Sequence, residues 1–355
     1  MLKRIVIKVG SGVITDNGNL DEGAVRAIVK EVAELLGKGT EVVLVTSGAV
    51  ATGKGVLGVT SPSGSMAERQ VFAAVGQVGL MSLYAKLFQE HGYRFAQILL
   101  TKGDFRDKEH YANIKEGFEN LLKAGIVPVV NENDAIAIHK QGFSDNDELA
   151  GLIAGQLNPD AVLFLSTIDG VLMKGADGKE TVVREIRTDD IAEYARFITK
   201  TKSSSGRGGM ETKFRIAKKL MDQGIATYII NGKKEGVIAT AAEGRAVGTK
   251  FIPEGKLSAV KRRLAYSEGF STGSVYVNAG AEEILMSKKS VSLLPVGVTK
   301  IEGAFKKGDV IDIRNESGEK LGIGIAQYDA AKAEEGKGKK GGRALVHYDS
   351  MLIGQ

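Results

Sequence analysis

Carboxylates and carboxamides crowd the two ends of the stretch 131–147: Asn131, Glu132, Asn133 and Asp134, then Asp145, Asn146 and Asp147. They follow directly on an apolar run, Ile126–Val130, that reads as a buried strand. Strand ends in open α/β sheets are where connecting loops converge on a crevice. Groups this polar and this dense would bind a small substrate bearing an amine, or would arrange lysines and a metal. A core has no use for them.

Glycine-rich loops are the second layer. One strand ends in Lys8-Val9-Gly10-Ser11-Gly12, another in Thr46-Ser47-Gly48-Ala49. A lysine at such a position can set its ammonium on phosphate oxygens while bare backbone N–H groups approach closely. The same spacing also serves an ordinary turn. Gly48–Gly55 approximates a Walker A loop, but Gly55 stands where Ser or Thr must hold magnesium, and no helix is predicted to follow at once. A third loop, Ser203–Lys213, opens a helix with Ile216, Leu220 and Met221 on its apolar face. Its first N–H groups, with Arg207 and Lys213, would make an anion site; a surface loop is the plain alternative.

Stepping outward, β-branched strands alternate with helical periodicity up to about residue 255. Strands are expected at Lys3–Val9, Glu41–Thr46, Arg94–Leu100, Ile126–Val130, Ala161–Leu165 and Ala226–Ile230. Val25, Ile28, Val29, Val32 and Leu36 make one helical face, with Asn19 and Glu22 placed as its capping box. Further helices are expected near Met66–Glu90, 108–124, 147–156 and 210–223. This alternation predicts an α/β domain with a mainly parallel sheet covered on both faces. Residues 256–272 read as a linker, and 273–355 as a small, mostly β domain. Its expected strands are Ser274–Asn278, Ser292–Leu294, Gly297–Phe305, Asp309–Arg314, Lys320–Gln327 and Arg343–His347.

Bulk composition sets the outer limits. The chain has 355 residues, enough for two domains, the larger with a full core. No run of 18 apolar residues occurs, so neither a membrane span nor a signal peptide is expected. With no cysteine, thiol nucleophiles, disulfides and Cys-ligated zinc are excluded, which fits a reducing cytoplasm. A net charge of +5 from 48 basic and 43 acidic residues permits nucleotide binding but does not mark a nucleic-acid protein.

The order of motifs narrows the reading. Lys8-x-Gly10, Thr46-Ser47-Gly48-Ala49, Ala73-Ala74-Val75-Gly76-Gln77, Gln97–Thr101, Asn131–Asp134, Asp145–Asp147 and Gly208-Gly209-Met210-x-Thr212-Lys213 follow one another. Over essentially its whole length the chain resembles the amino-acid kinase family, in the bacterial, glutamate-phosphorylating form with a C-terminal PUA domain. The Asn-Glu-Asn-Asp and Asp-Asn-Asp segments are the specific part. The resemblance implies a three-layer αβα kinase domain at 1–255, the linker, and a small PUA barrel at 273–355. It also implies ATP-dependent phosphorylation of the γ-carboxylate of L-glutamate to L-glutamyl 5-phosphate, the first step of proline biosynthesis.

By that resemblance Lys8 would stabilise the transferring phosphoryl group, Lys213 would meet the β/γ oxygens, and Asp147 would hold both ammonium groups in place. Ser47, Asp134 and Asn146 would bind glutamate, with Asp134 on its ammonium and Ser47 and Asn146 on its carboxylate oxygens. Lys8, Gly10, Ser166, Thr167, Arg207, Gly208, Gly209, Met210, Glu211, Thr212 and Lys213 would line the ATP site, with Mg2+ carried on the nucleotide. Proline would act as a feedback inhibitor, through Ala51–Ser65 as a mobile lid. A glutamyl phosphate reductase would be the pathway partner, and the chain would assemble as a dimer or tetramer. The departures fall on the nucleotide side. Thr167 follows Ser166 where relatives carry Asp, with an acid only at Asp169; Arg207 replaces Thr, and Glu211 a small residue.

Two other readings compete. One is a sister kinase acting on another acidic amino acid or its acyl derivative. The other is a regulatory protein that binds RNA through the PUA domain, for which Lys337-Gly-Lys-Lys-Gly-Gly-Arg343 is the suggestive run. Residues 270–355 hold 12 Lys/Arg against 11 Asp/Glu, so a solvated loop is the simpler account. His91, His110, His139 and His347 lack ligand spacing. Asp145-Asn-Asp147 lacks the glycine and later glutamate of a calcium loop.

Overall fold

The computed structural model describes residues 2–105, 108–136, 146–174, 178–198, 209–245, 247–253, 260–261, 264, 271–287 and 290–354. Asp145, Arg207, Gly208 and most of the expected linker lie outside them. The chain divides into two compact units, Met1–Lys256 and Leu257–Gln355.

In the first unit, β1 (Arg4–Val9) leads through a β2–β3 hairpin (Thr15–Asp16, Asn19–Leu20) into α1 (Glu22–Gly37) and β4 (Glu41–Val45). Helices α2 (Ala49–Val56) and α3 (Met66–Glu90) precede β5 (Arg94–Leu100), α4 (Lys108–Lys123) and β6 (Ile126–Glu132). Next come α5 (Asn146–Leu157), β7 (Ala161–Ser166), a β8–β9 hairpin (Leu172–Lys174, Glu180–Val182), β10 (Glu185–Ile186) and α6 (Ile191–Ile198). Helix α7 (Met210–Asp222), β11 (Ala226–Asn231), α8 (Val237–Ala242) and β12 (Thr249–Phe251) complete it. The sheet runs β10-β12-β11-β7-β1-β4-β6-β5, parallel except where β12 meets β11.

Strand alternation explains how a lysine comes to be buried here. Ile5, Ile7 and Val9 point into a core shared with α1, α3 and α8. Val6 and Lys8 therefore take the opposite pleat, the face on which α5 packs against β1. Helix α5 is buried all round from Asp147 to Leu157 except at the half-buried Glu148, as a central helix lying between sheet and neighbours must be.

Local corrections have plain causes. The cap of α1 is Asp21, whose Oδ1 accepts from Ala24 N at 3.0 Å; Asn19 lies in β3. No helix follows Gly55 at once, since the next begins at Met66, but the glycine-rich segment is itself helical: it forms α2, with Gly48 as a left-handed N-cap at φ 107°. Its interior glycine is a packing device. A Cβ on Gly53 would lie 1.9 Å from Phe72 O, and one on Gly76 would lie 1.8 Å from Ala49 O. Helices α2 and α3 thus touch backbone to backbone. Of the segment Ala51–Ser65 expected as a lid, Ala51–Val56 belongs to α2 and Leu57–Ser65 is irregular. Among the described residues α3 alone is long and apolar enough to cross a membrane, and much of it is buried in the unit.

Gly76→Ala should cost roughly 3 kcal/mol or more, because the obstructing atom is a backbone oxygen that cannot rotate away. A melting temperature within about 2 °C of wild type would refute this close-contact account.

The second unit is a five-stranded sheet in the order β14-β13-β15-β16-β17. Its strands are β13 (Gly273–Val277), β14 (Val298–Gly303), β15 (Val310–Asn315), β16 (Lys320–Ala326) and β17 (Val346–Ile353), with α9 (Ala279–Met286) and α10 (Ala330–Gly336) between them. Ser292–Leu294 is not a strand; only Leu293 forms an isolated bridge, to Val346. The last strand runs to Ile353, because Gly322 and Gly324 on β16 leave room for it. A Cβ there would meet Leu352 O at 2.0 Å and Val346 Cγ1 at 2.4 Å.

Candidate active site

The carboxyl ends of the parallel strands bring Lys8, Thr46, Asn131 and Ser166 to one edge of the sheet. Strand β1 continues through α1 to β4 on one side, whereas β7 leads to β11 on the other. The crevice between β1 and β7 is therefore a topological switch point. The exit loop of β1 lies tight against β7: Gly10 N donates to Leu165 O at 3.1 Å, and a Cβ there would sit 2.8 Å from that oxygen. A Cβ on Gly12 would come 3.1 Å from Thr167 Cγ2. Only glycine lets the bare loop backbone run this close.

Three of the expected residues converge on the α5 face. Lys8 Nζ lies 2.5 Å from Asp147 Oδ1, and Lys213 Nζ 2.9 Å from Asp147 Oδ2. Asp147 is completely buried and the lysines nearly so. Burial opposes ionisation of Asp147, but the ammonium of Lys8, then that of Lys213, outweighs it and holds the carboxyl below its usual range. Each helix contributes its first turn: Asp147 is the second residue of α5, and Lys213 the fourth of α7, whose N-cap is Gly209. Met210, Glu211 and Thr212 fill the turn before Lys213.

A second cluster adjoins the first through Asn146. Its Nδ2 donates to Thr46 O (2.7 Å), Ser47 Oγ (3.0 Å) and Asn131 Oδ1 (3.0 Å). Asn131 Nδ2 in turn donates to Gln77 Oε1 at 2.9 Å, which gives the Gly76-Gln77 segment a second task. The Oδ1 of Asn146 is buried with no donor among the described residues. The Nδ2 of Asn146 is therefore engaged with protein acceptors, and its Oδ1 is the atom left without a partner among the described residues. Ser47 Oγ accepts from Asn146 and keeps its own proton to give. Thr46 Oγ1 shares a 2.8 Å hydrogen bond with Tyr84, whose phenol burial pushes up to about 12. Asp134 pairs with Arg69 of α3, Nη2 to Oδ1 at 3.3 Å.

On the other side, Ser166 ends β7 beside Asn231, and Thr167 is exposed. Asp169 accepts from Asn231 Nδ2 at 2.8 Å and pairs with Lys234 at 2.7 Å. Lys234, then Asn231, hold its carboxyl below the usual range. Arg69, Asn231 and Lys234 escape sequence reasoning, since each meets a partner far away in the chain, and Gln77 appears there only as part of a motif with no stated role.

The sequence profile of the Amino acid kinase family matches residues 3–231. The chain belongs to the amino acid kinase family. A PUA-domain profile matches 273–347. A protein of Chlorobaculum tepidum named Glutamate 5-kinase is 44% identical over 353 residues, covering 99% of this chain and 97% of its own. One of Bacteroides thetaiotaomicron with the same name is 42% identical over 355 residues, covering 99% and 98%. Among solved structures, a UMP kinase from Bacillus anthracis aligns with a TM-score of 0.48 at 17% identity, over 72% of this chain and 97% of that one. In this amino acid kinase the buried lysine pair and the polar cluster lie side by side, joined by consecutive residues, Asn146 and Asp147.

Proposed function

We propose that this amino acid kinase transfers the γ-phosphoryl group of ATP to the γ-carboxylate of L-glutamate. The observation that carries the reading is the buried Lys8–Asp147–Lys213 group next to a cluster able to hold a small amino acid. Near-full-length relatives named Glutamate 5-kinase support it.

The chemistry asks little of the protein beyond placement and charge. A carboxylate with an ordinary pKa of about 4.3 is already ionised at pH 7, so no general base is needed. One carboxylate oxygen forms a bond to the γ-phosphorus while the bond to the β,γ-bridging oxygen breaks, and the electron pair leaves with ADP. Lys8 neutralises the equatorial oxygens of the group in transfer, and Lys213 the charge developing on the leaving side. Asp147 keeps two mutually repelling cations within reach of one phosphoryl group. Glycines 10 and 12 leave backbone free for phosphate oxygens, and the start of α7 adds N–H groups from Met210 onward. Bound magnesium would neutralise charge between the phosphates. Among the described residues no three His, Cys, Asp or Glu gather as ligands, so the ion is expected to travel with the nucleotide.

At the substrate end, Ser47 gives its proton to a carboxylate oxygen, while Asp134 and Asn146 Oδ1 accept from the ammonium. The product is an acyl phosphate, which a glutamyl phosphate reductase in the cytoplasm would consume. Proline inhibition would act at the amino-acid end, beside Leu57–Ser65. The test is glutamate-dependent ADP release with hydroxylamine present, which traps the acyl phosphate as a hydroxamate. Turnover with N-acetylglutamate or aspartate but not glutamate would overturn the assignment.

A further inference from the structure

Among the described residues the amino-acid cluster is well supplied with acceptors and short of charged donors. Asn146 shares its two amide protons among Thr46 O, Ser47 Oγ and Asn131 Oδ1, and Asn131 has turned its own toward Gln77. Asp134 can only accept. A glutamate bound here would bring a second carboxylate, on its α-carbon, that needs a partner.

Arg69 brings a cation to this place. Its one contact with Asp134, at 3.3 Å, uses one of five N–H donors and one of two carboxylate oxygens. The pair is partly open, with 36% of the arginine side chain and 18% of the aspartate exposed, so its members can engage a ligand at small cost. The turn that carries Arg69 is fixed. Ser65 Oγ accepts from Glu68 N at 3.2 Å, and Glu68 Oε2 reaches back to Gly64 N at 3.0 Å and Ser63 Oγ at 2.8 Å. This reciprocal cap sets the direction from which the guanidinium approaches.

We propose that Arg69 is a specificity-determining residue that reads the α-carboxylate of the substrate. Asp134 stays paired with it through Oδ1 and takes the α-ammonium through Oδ2. The two side chains together form a complement to a zwitterion. An N-acylated amine has no positive charge to offset Asp134, so acyl amino acids are rejected by the same pair. This inference rests on the glutamate reading of the site.

The test pairs a substrate deletion with a residue deletion in the full chain. The compound 4-aminobutyrate keeps the amine and the reacting carboxylate but lacks the α-carboxylate. Wild type should bind L-glutamate about 100-fold more tightly than 4-aminobutyrate, by calorimetry. Arg69→Gln should shrink that preference to within about tenfold by weakening glutamate alone, and Arg69→Lys should restore part of it. In turnover the loss should fall on the KM for glutamate, with kcat changed little. An equal weakening of both ligands would make Arg69 a structural support and overturn the proposal, as would an unaltered preference in a wild type active on glutamate. A wild type that neither binds nor phosphorylates glutamate would instead overturn the underlying reading, and this inference with it.

Discussion

Asp147→Asn should lower turnover by about three orders of magnitude and destabilise the kinase domain by roughly 3–5 kcal/mol. The substitution keeps volume and removes charge. It leaves two lysines buried beside each other, with an amide that can meet them only through one oxygen. Their mutual repulsion then spreads them, so the loss in rate and the loss in stability share one cause. Acid should reproduce part of the effect in wild type. Because the folded-state pKa of Asp147 lies below its unfolded value of about 3.9, its contribution is complete above that value and disappears as pH falls through the depressed one. The stability gap between wild type and Asp147→Asn should therefore close below about pH 4. Urea unfolding at several pH values measures the gap, and ADP release measures the rate. Turnover within tenfold of wild type would remove Asp147 from the machinery.

Lys8→Met should cut kcat by about 100- to 1,000-fold while the KM for glutamate stays within about threefold. Methionine fills the stem's volume in the sheet, so the effect isolates the ammonium. Lys8 lies on the strand beside β7 and makes none of the Asp134 cluster's hydrogen bonds, and in the proposed role its target is charge that builds up only during transfer. Its removal also takes one of the two lysine ammonium groups from Asp147, which should raise the carboxyl's pKa and shift the onset of acid unfolding to higher pH. A rate near wild type would end the assignment of Lys8 to the phosphoryl group.

Much of this architecture is legible in the sequence, for reasons that differ by residue. Lys8 sits two positions after Val6 on a strand with an apolar run, so period-two alternation already aims it at a covered face. The parallel sheet follows from the alternation of β-branched runs with helical periodicity. The triad is legible only as motif order, since Asp147 and Lys213 are 66 residues apart and no local pattern joins them. Helix α2 is misread because Gly48, Gly53 and Gly55 look like breakers, whereas Gly53 supports a contact with α3 that no propensity records. The cap moves from Asn19 to Asp21 because both are good cap residues and only the hairpin decides between them. Asn146 is expected from motif order, but its contacts with Thr46, Ser47 and Asn131 join residues 15 to 100 positions apart and have no local signal. Arg69 carries no local signal, as its partner stands 65 residues away.

The glycine-to-backbone seam between α2 and α3 has a mechanical consequence. Ser47 and Gly48 sit at the head of one helix and Arg69 near the head of the other, and no compressible side chain separates the two rods at Gly53 and Gly76. The pair therefore behaves as a single lever. If Ser47 and Arg69 hold the amino acid as proposed, a force applied to Leu57–Ser65, the segment that joins the two helices, would displace both residues together. An effector bound at that joint would change how firmly glutamate is held, and would do so without altering the chemical step.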